Sequence, residues 1–152
     1  MKILLQRVKE ASVTVDGQIT GSIGHGLLMF VGFAPDDNQS ICDVMLEKAL
    51  KLRIFSDEND KINLSVKDIN GEILAVSQFT LYADCRKGTR PGFSDACPAQ
   101  LAEELYNYFL KKASELYGNI QSGVFGADMS VSLINDGPFT VMLDSSVIVK
   151  NK

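Results

Sequence analysis

The chain has 152 residues, with 15 Lys plus Arg against 19 Asp plus Glu, one His, three Cys and no Trp. A chain of this length buries roughly 68–70% of the surface its unfolded form exposes, so it holds a core without disulfide or metal staples. Its 22% charged and 45% hydrophobic residues exclude a mostly disordered chain, and a net charge of -4 excludes coating of nucleic acid by bulk electrostatics, which needs Lys and Arg to neutralise phosphates.

No apolar run approaches the ~20 residues of a membrane span, and the apolar start is broken by Gln6 and Arg7 before a signal-peptide core forms. Cys42, Cys85 and Cys97 are odd in number and lack C-x-x-C spacing, so reduced thiols are expected rather than a disulfide framework or a four-ligand zinc site. A soluble, cytoplasmic protein is expected, with one domain over residues 1–152 because neither repeat nor linker interrupts the chain.

In chain order, Ile3 to Val15 is rich in β-branched residues, Asp16-Gly17 is a hairpin signal, and Ile19 to Ile23 pairs back. A third strand, Leu27 to Phe33, follows a turn at Gly24-His25-Gly26. Ser40 is placed to cap a helix whose apolar residues Ile41, Val44, Met45, Ala49 and Leu52 recur at helical spacing. After the polar turn at Asp57-Glu58-Asn59-Asp60 and a short turn near Asp68, Glu72 to Tyr82 reads as a buried strand. A second helix starts near Pro98, taken as a first-turn residue, with an apolar face of Leu101, Leu105, Phe109, Ala113 and Leu116. Glu103 and Glu104 near its start and Lys111 and Lys112 towards its end suit the helix dipole, and Gly118 ends it. Ile120 to Val149 returns to strands interrupted by Asn135-Asp136-Gly137-Pro138. The expected class is mixed α/β: a largely antiparallel or barrel-like sheet with two helices covering one face.

The side-chain inventory excludes more chemistry than it proposes. His25 is the single imidazole and lies between two glycines, which argues against Ser-His-Asp and Cys-His sites. No metal is expected from one His and no reactive Cys pair. No G-x-x-x-x-G-K-[ST] loop and no G-x-G-x-x-G between a strand and a helix occurs, so no nucleotide cofactor is expected. Two segments then stand out. Ser77-Gln78-Phe79-Thr80-Leu81 ends an apolar strand with two hydroxyls and an amide, and Asn135-Asp136-Gly137-Pro138-Phe139-Thr140 breaks a β-rich region. Taken singly, the first is an ordinary half-buried strand and the second an ordinary turn.

Taken together, with the Gln6-Arg7-Val8 start, Arg90-Pro91 and Phe125-Gly126-Ala127-Asp128-Met129, they resemble the D-aminoacyl-tRNA deacylase family (D-tyrosyl-tRNA(Tyr) deacylases) over nearly the whole chain. Gly92 stands where many members have Ser, and Ala83 where Gly is frequent. The resemblance implies the family's fold and hydrolysis of the ester joining a D-amino acid to the 3′-terminal adenosine of tRNA, with glycine removed from alanine tRNA as well. It further implies a homodimer in which a cis Gly137-Pro138 peptide reaches into the partner's active site, where its carbonyls accept the substrate's ammonium group and leave no room for an L side chain. X-Pro is the peptide bond for which cis costs only about 0.5–1 kcal/mol.

By the same resemblance Ser77, Gln78, Phe79 and Thr80 are catalytic, the backbone N–H groups of Phe79 and Thr80 holding the scissile carbonyl oxygen. Asn135, Thr140 and Met129 are supporting residues. Thr80 has no base beside it in sequence, and the family implies assistance from the tRNA's own 2′-hydroxyl. Arg86, Lys87 and Arg90 form a local basic loop suited to acceptor-stem phosphates, with Lys48, Lys51 and Lys150 as more distant candidates. Two other readings remain open: a small-molecule esterase using Thr80 or Ser77 with His25 or Asp84 as base, and a dimeric binding module in which Gly137-Pro138 is a plain turn.

Overall fold

The computed structural model describes residues 1–149. The first strand, β1 (Lys2–Val15), turns at Asp16-Gly17 into β2 (Gln18–Ile23), which is followed by β3 (Gly26–Gly32). All three lie close to their expected positions. The expected reversal at Gly24-His25-Gly26 is absent, however. Val8 faces Gly26 and Ala11 faces Ile23 across β1, in one continuous register, so β2 and β3 are two lengths of a single return strand bent at Gly24-His25.

The helix α1 (Gln39–Lys51) is capped by Asn38, whose side-chain oxygen accepts the Ile41 N–H at 3.1 Å; the expected cap, Ser40, lies inside the helix. Both residue types cap helices, and the extended backbone at Asn38 decides between them. The buried stripe is Cys42, Met45, Leu46 and Ala49, while Val44 faces solvent. Burial, with Asp37 and Asp43 nearby, pushes the Cys42 thiol up to about 12. A small hairpin, β4 (Phe55–Ser56) and β5 (Ile62–Leu64), leads to β6 (Glu72–Ser77).

The second long helix, α2 (Ala99–Tyr117), begins and ends as expected, except that Pro98 takes the cap position and not the first turn. Gly118, at φ +112°, donates its N–H to Ser114 and stops it. Its buried face is Ala102, Leu105, Tyr106, Phe109 and Ala113, with Leu116 exposed. The first turn carries no acid and the last no base: Glu103, Glu104, Lys111 and Lys112 lie in the helix interior, beyond the terminal turns where the dipole acts, so the expected dipole complement is absent. The chain closes with β7 (Ile120–Ser122), β8 (Ser130–Asp144) and a short helical turn α3 (Ser145–Ile148), where further strand had been expected.

β1 pairs antiparallel with β2, β3 and β8, whereas β3–β6 and β6–β7 are parallel. The sheet curls: a Cβ on Gly21 of β2 would lie 3.0 Å from the Ser122 carbonyl of β7, so the two ends nearly meet in a barrel-like form. Two cores result. α1 and α2 cover one face, over Ile3, Leu5, Leu27, Met29, Ile73 and Ala75. The curl encloses the other, around Val8, Ala11, Val13, Ile23, Leu28, Leu74 and Val76.

Strict alternation would send Ala11 and Val13 to the same face as Ile3 and Leu5, yet they join the opposite core. The register of β1 against β8 shifts between Gln6 and Val8 and again between Val8 and Glu10, and such an irregularity exchanges the two faces of a strand. Between Gln6 and Val8, β8 runs from Thr140 to Asn135, so residues 136–139 loop out where the long β1–β8 pair crosses from one core to the other. Near the other end of β1 the Met1 ammonium is buried 2.6 Å from Asp37 and donates to Ser145 Oγ at 2.7 Å. No helix among the described residues is long and apolar enough to cross a membrane.

Candidate active site

The Ser77 motif lies where β6 outruns its neighbour. Ser77 faces Val31, and Gln78 donates its N–H to the Val31 carbonyl at 2.8 Å. β3 then ends at Gly32, where a Cβ would sit 2.7 Å from the Gln78 carbonyl oxygen. The expected strand to Tyr82 therefore stops at Ser77, and Phe79–Tyr82 form one 3-10 turn. Phe79 is thrust outward, 57% exposed, with its ring edge-on to Phe93 at 5.1 Å.

Beside this turn opens a cleft of about 630 Å³, walled by the start of α2 and by the β7–β8 connection. Ser77, Gln78, Phe79 and Met129 line it, joined by Phe33, Phe93, Phe125 and Cys97, none of which the sequence reading assigned to a site. Phe125 and Met129 do belong to a segment that carried the family resemblance, and that was the available signal. Behind it Tyr106 is tied to β6, its hydroxyl donating to the Ala75 carbonyl at 3.0 Å, and its ring packs on Phe125 of the lining. The cleft is mostly apolar with few polar groups, the usual character of a small-ligand site.

Thr80 stands just outside the lining and is exposed; its hydroxyl oxygen accepts from Gln78 Nε2. Neither base required by the esterase reading reaches the cleft. His25 packs edge-on to Phe55 and lies 3.6 Å from Asp136. Asp84 is gripped by Arg86 through two side-chain bonds of 2.7 and 2.8 Å, which lower its carboxyl to about 2 and leave it a poor proton acceptor. Burial pushes the Cys97 thiol up, so this cleft residue is a weak nucleophile.

Gly137 and Pro138, joined by a cis peptide, are exposed and do not line the cleft of their own chain. Their loop is braced from both sides. Asn135 Oδ1 accepts the Phe139 N–H at 2.6 Å, while its Nδ2 donates to the Phe139 carbonyl at 3.3 Å and to Thr140 Oγ1 at 3.0 Å. Arg7, to which the sequence reading gave no role, donates through Nε to the Asp136 carbonyl at 2.9 Å and through Nη1 to the Ile54 carbonyl at 2.7 Å, with its guanidinium over the Phe139 ring. The structure thus brings together Ser77, Gln78, Phe79 and Met129 in one place, and Asn135, Gly137, Pro138 and Thr140 in another.

The basic loop is closed by a bridge between Asp84 and Gly92. Arg86 is occupied by Asp84, which leaves Lys87 and Arg90 as exposed cations without an ion pair among the described residues. Lys51 pairs with Glu47, Lys48 is exposed, and Lys150 lies outside the described residues.

Residues 4–144 match the family model described as D-Tyr-tRNA(Tyr) deacylase. Over 146 residues the chain is 54% identical to a D-aminoacyl-tRNA deacylase of Clostridioides difficile (strain 630), spanning 96% of this chain and 98% of that protein. Among solved structures it resembles the c-Myc DNA Unwinding Element Binding Protein, at 44% identity and a TM-score of 0.91, over 95% of this chain and 99% of the other. The fold also matches a structure described as a probable eukaryotic D-amino acid tRNA deacylase, at 18% identity and a TM-score of 0.83, over 93% and 97% of the two chains. With a family model spanning nearly all of the sequence and a relative sharing more than half of its residues, the chain belongs to the D-Tyr-tRNA(Tyr) deacylase family and is a D-aminoacyl-tRNA deacylase in activity.

Proposed function

We propose that the cleft beside Ser77 receives the 3′-terminal adenosine of a D-aminoacyl-tRNA, and that residues 1–152 work as one cytoplasmic editing domain, paired as a homodimer. Phe79 and Thr80 open a 3-10 turn, and the first N–H groups of a helical turn have no carbonyl partner inside it. Those two N–H groups hold the scissile carbonyl oxygen as negative charge develops. Ser77 and Gln78 shape the wall around the ester, and Met129 closes it from the β7–β8 side.

The observation that carries the dimer reading is that Gly137 and Pro138 are exposed yet stand apart from the cleft of their own chain. A loop braced by Asn135, Thr140 and Arg7 but turned to solvent suits insertion into a second subunit. There its carbonyls meet the substrate ammonium and exclude an L side chain. Selection by a clash against the wrong isomer leaves D side chains, and glycine on alanine tRNA, free to react.

Among the described residues no imidazole or carboxylate lines the cleft beside Ser77, and His25 and Asp84 are engaged elsewhere. This favours attack assisted by the 2′-hydroxyl of the tRNA, with the protein supplying position and electrostatics. Lys87 and Arg90 meet acceptor-stem phosphates, a contact that positions without reading sequence. The test is release of amino acid from D-tyrosyl-tRNA and L-tyrosyl-tRNA side by side. Rapid D cleavage with the L ester intact is expected. Cleavage of both esters would overturn the stereochemical filter, and cleavage of neither would overturn the assignment of the cleft.

A further inference from the structure

We infer that His25 is a positioning residue, which steadies the loop carrying Gly137 and Pro138 through its contact with Asp136. This rests on the reading of that loop as the stereochemical filter. His25 Nε2 lies 3.6 Å from Asp136 Oδ2, and Arg7 Nε lies 3.6 Å from the same oxygen. Arg7 also holds the Asp136 carbonyl. The residue immediately before Gly137 is therefore gripped at its main chain by one cation and approached at its carboxylate by two nitrogen donors.

His25 is itself well anchored. Its carbonyl accepts the Glu72 N–H at 3.0 Å, and its ring sits edge-on to Phe55 with centroids 5.4 Å apart. On its other flank Gly24 donates to the Glu72 carboxylate at 3.1 Å. The charged groups around the ring are thus Asp136 from β8, Arg7 from β1 and Glu72 from β6, the last already engaged; β4 contributes the neutral Phe55. A fixed bend between β2 and β3 presents an imidazole to a loop that has one permanent cationic tether.

Arg7 holds the main chain just before Gly137, and His25 is the second nitrogen donor beside the Asp136 carboxylate. The His25 side chain is 54% exposed and that of Asp136 30%, so the added hold is that of a half-exposed polar contact, roughly threefold in an equilibrium.

The experiment measures kcat and KM on D-tyrosyl-tRNA, with L-tyrosyl-tRNA alongside, for the full chain and its His25→Ala, His25→Gln and Asp136→Asn variants and for His25→Ala combined with Asp136→Asn. His25→Ala should lower kcat/KM by roughly threefold, His25→Gln, which keeps a nitrogen donor, should recover part of the loss, and in the Asp136→Asn background the effect of His25→Ala should vanish. No effect of His25→Ala, or one that survives in Asp136→Asn, would overturn the inference.

A second readout does not depend on turnover. The backbone amides of Gly137 and Phe139, followed by NMR, should move between the wild-type chain and His25→Ala and stay in place between Asp136→Asn and the doubly substituted chain. Amides unmoved by His25→Ala refute the coupling. Moved amides together with equal cleavage of D and L esters would leave the coupling standing and remove the filter reading instead.

Discussion

Arg7 Nε donates to the main-chain carbonyl of Asp136 at 2.9 Å, tying the middle of β1 to the loop that carries Gly137 and Pro138. The tie falls where β8 departs from β1, between the pairs Gln6–Thr140 and Val8–Asn135. One side chain therefore spans the gap in the ladder, and its second bond, to Ile54, fixes it to the β4 side of the fold. This explains how a looped-out segment stays ordered while turned to solvent.

Arg7→Ala removes the donor from both carbonyls, each worth about 1–3 kcal/mol if left unpaired. A fall in Tm of several degrees is expected, together with at least a tenfold loss in kcat/KM on D-tyrosyl-tRNA. Arg7→Lys should not restore activity, because one ammonium lacks the planar fork that spans two acceptors. Wild-type kinetics in Arg7→Ala would remove the loop from the reaction.

Thr80→Ala separates RNA-assisted chemistry from a protein nucleophile. Thr80 gives up only its contact with Gln78, so turnover should stay within about tenfold of wild type. Loss of a true nucleophile costs on the order of 10⁴-fold or more in kcat. A single-turnover assay with excess enzyme distinguishes the two.

Asp84→Asn should release Arg86 towards tRNA phosphates. The Arg86 side chain holds the Asp84 carboxyl down at about 2. A carboxyl lowered on folding adds stability at pH values above its ordinary value near 4, and that contribution is lost as pH falls towards 2. The grip on Arg86 is thus complete and unvarying between about pH 5 and 8. In Asp84→Asn the freed cation should lower KM for tRNA and steepen its dependence on salt by just under one on logarithmic axes. An unchanged salt slope would exclude this face of the loop from the tRNA path.

Gly26→Ala tests the pairing that carries the Ser77 wall. A Cβ there would lie 1.8 Å from the Glu72 carbonyl oxygen, so β3 and β6 would have to separate. Destabilisation of about 3 kcal/mol is expected, or a fall of about 6–12 °C in Tm. Gly92→Ser is the contrast: its Cβ would meet nothing closer than 4.0 Å, and stability should stay within about 0.5 kcal/mol. Equal Tm values for the two variants would contradict the packing around Gly26.

How much of this was legible beforehand varied with the range of the forces involved. The β1–β2 hairpin, the length of α2 and its stop at Gly118 follow from local alternation, helical spacing and one residue free to adopt positive φ. The family resemblance singled out Ser77 to Phe79 and Met129, which line one cleft, and Gly137-Pro138, which the structure joins by a cis peptide. The end of β6 could not be read in the same way. An alternation of polar and apolar residues continues past Ser77 through Phe79 and Leu81, and only the end of β3 and the close pass over Gly32 turn the chain aside.

The same holds for the crossing of Ala11 and Val13 into the second core, which depends on a register shift against β8, more than a hundred residues away in sequence. Arg7 and Asp136, or Ser77 and Met129, carry no mark that they share a site. By itself the sequence determined which faces and turns the chain favours locally, since burial and backbone sterics act over a few residues. Which turn borders the cleft, and which of the described cations lack an ion pair, is settled only in the tertiary structure, because those depend on strands pairing cooperatively across the whole chain.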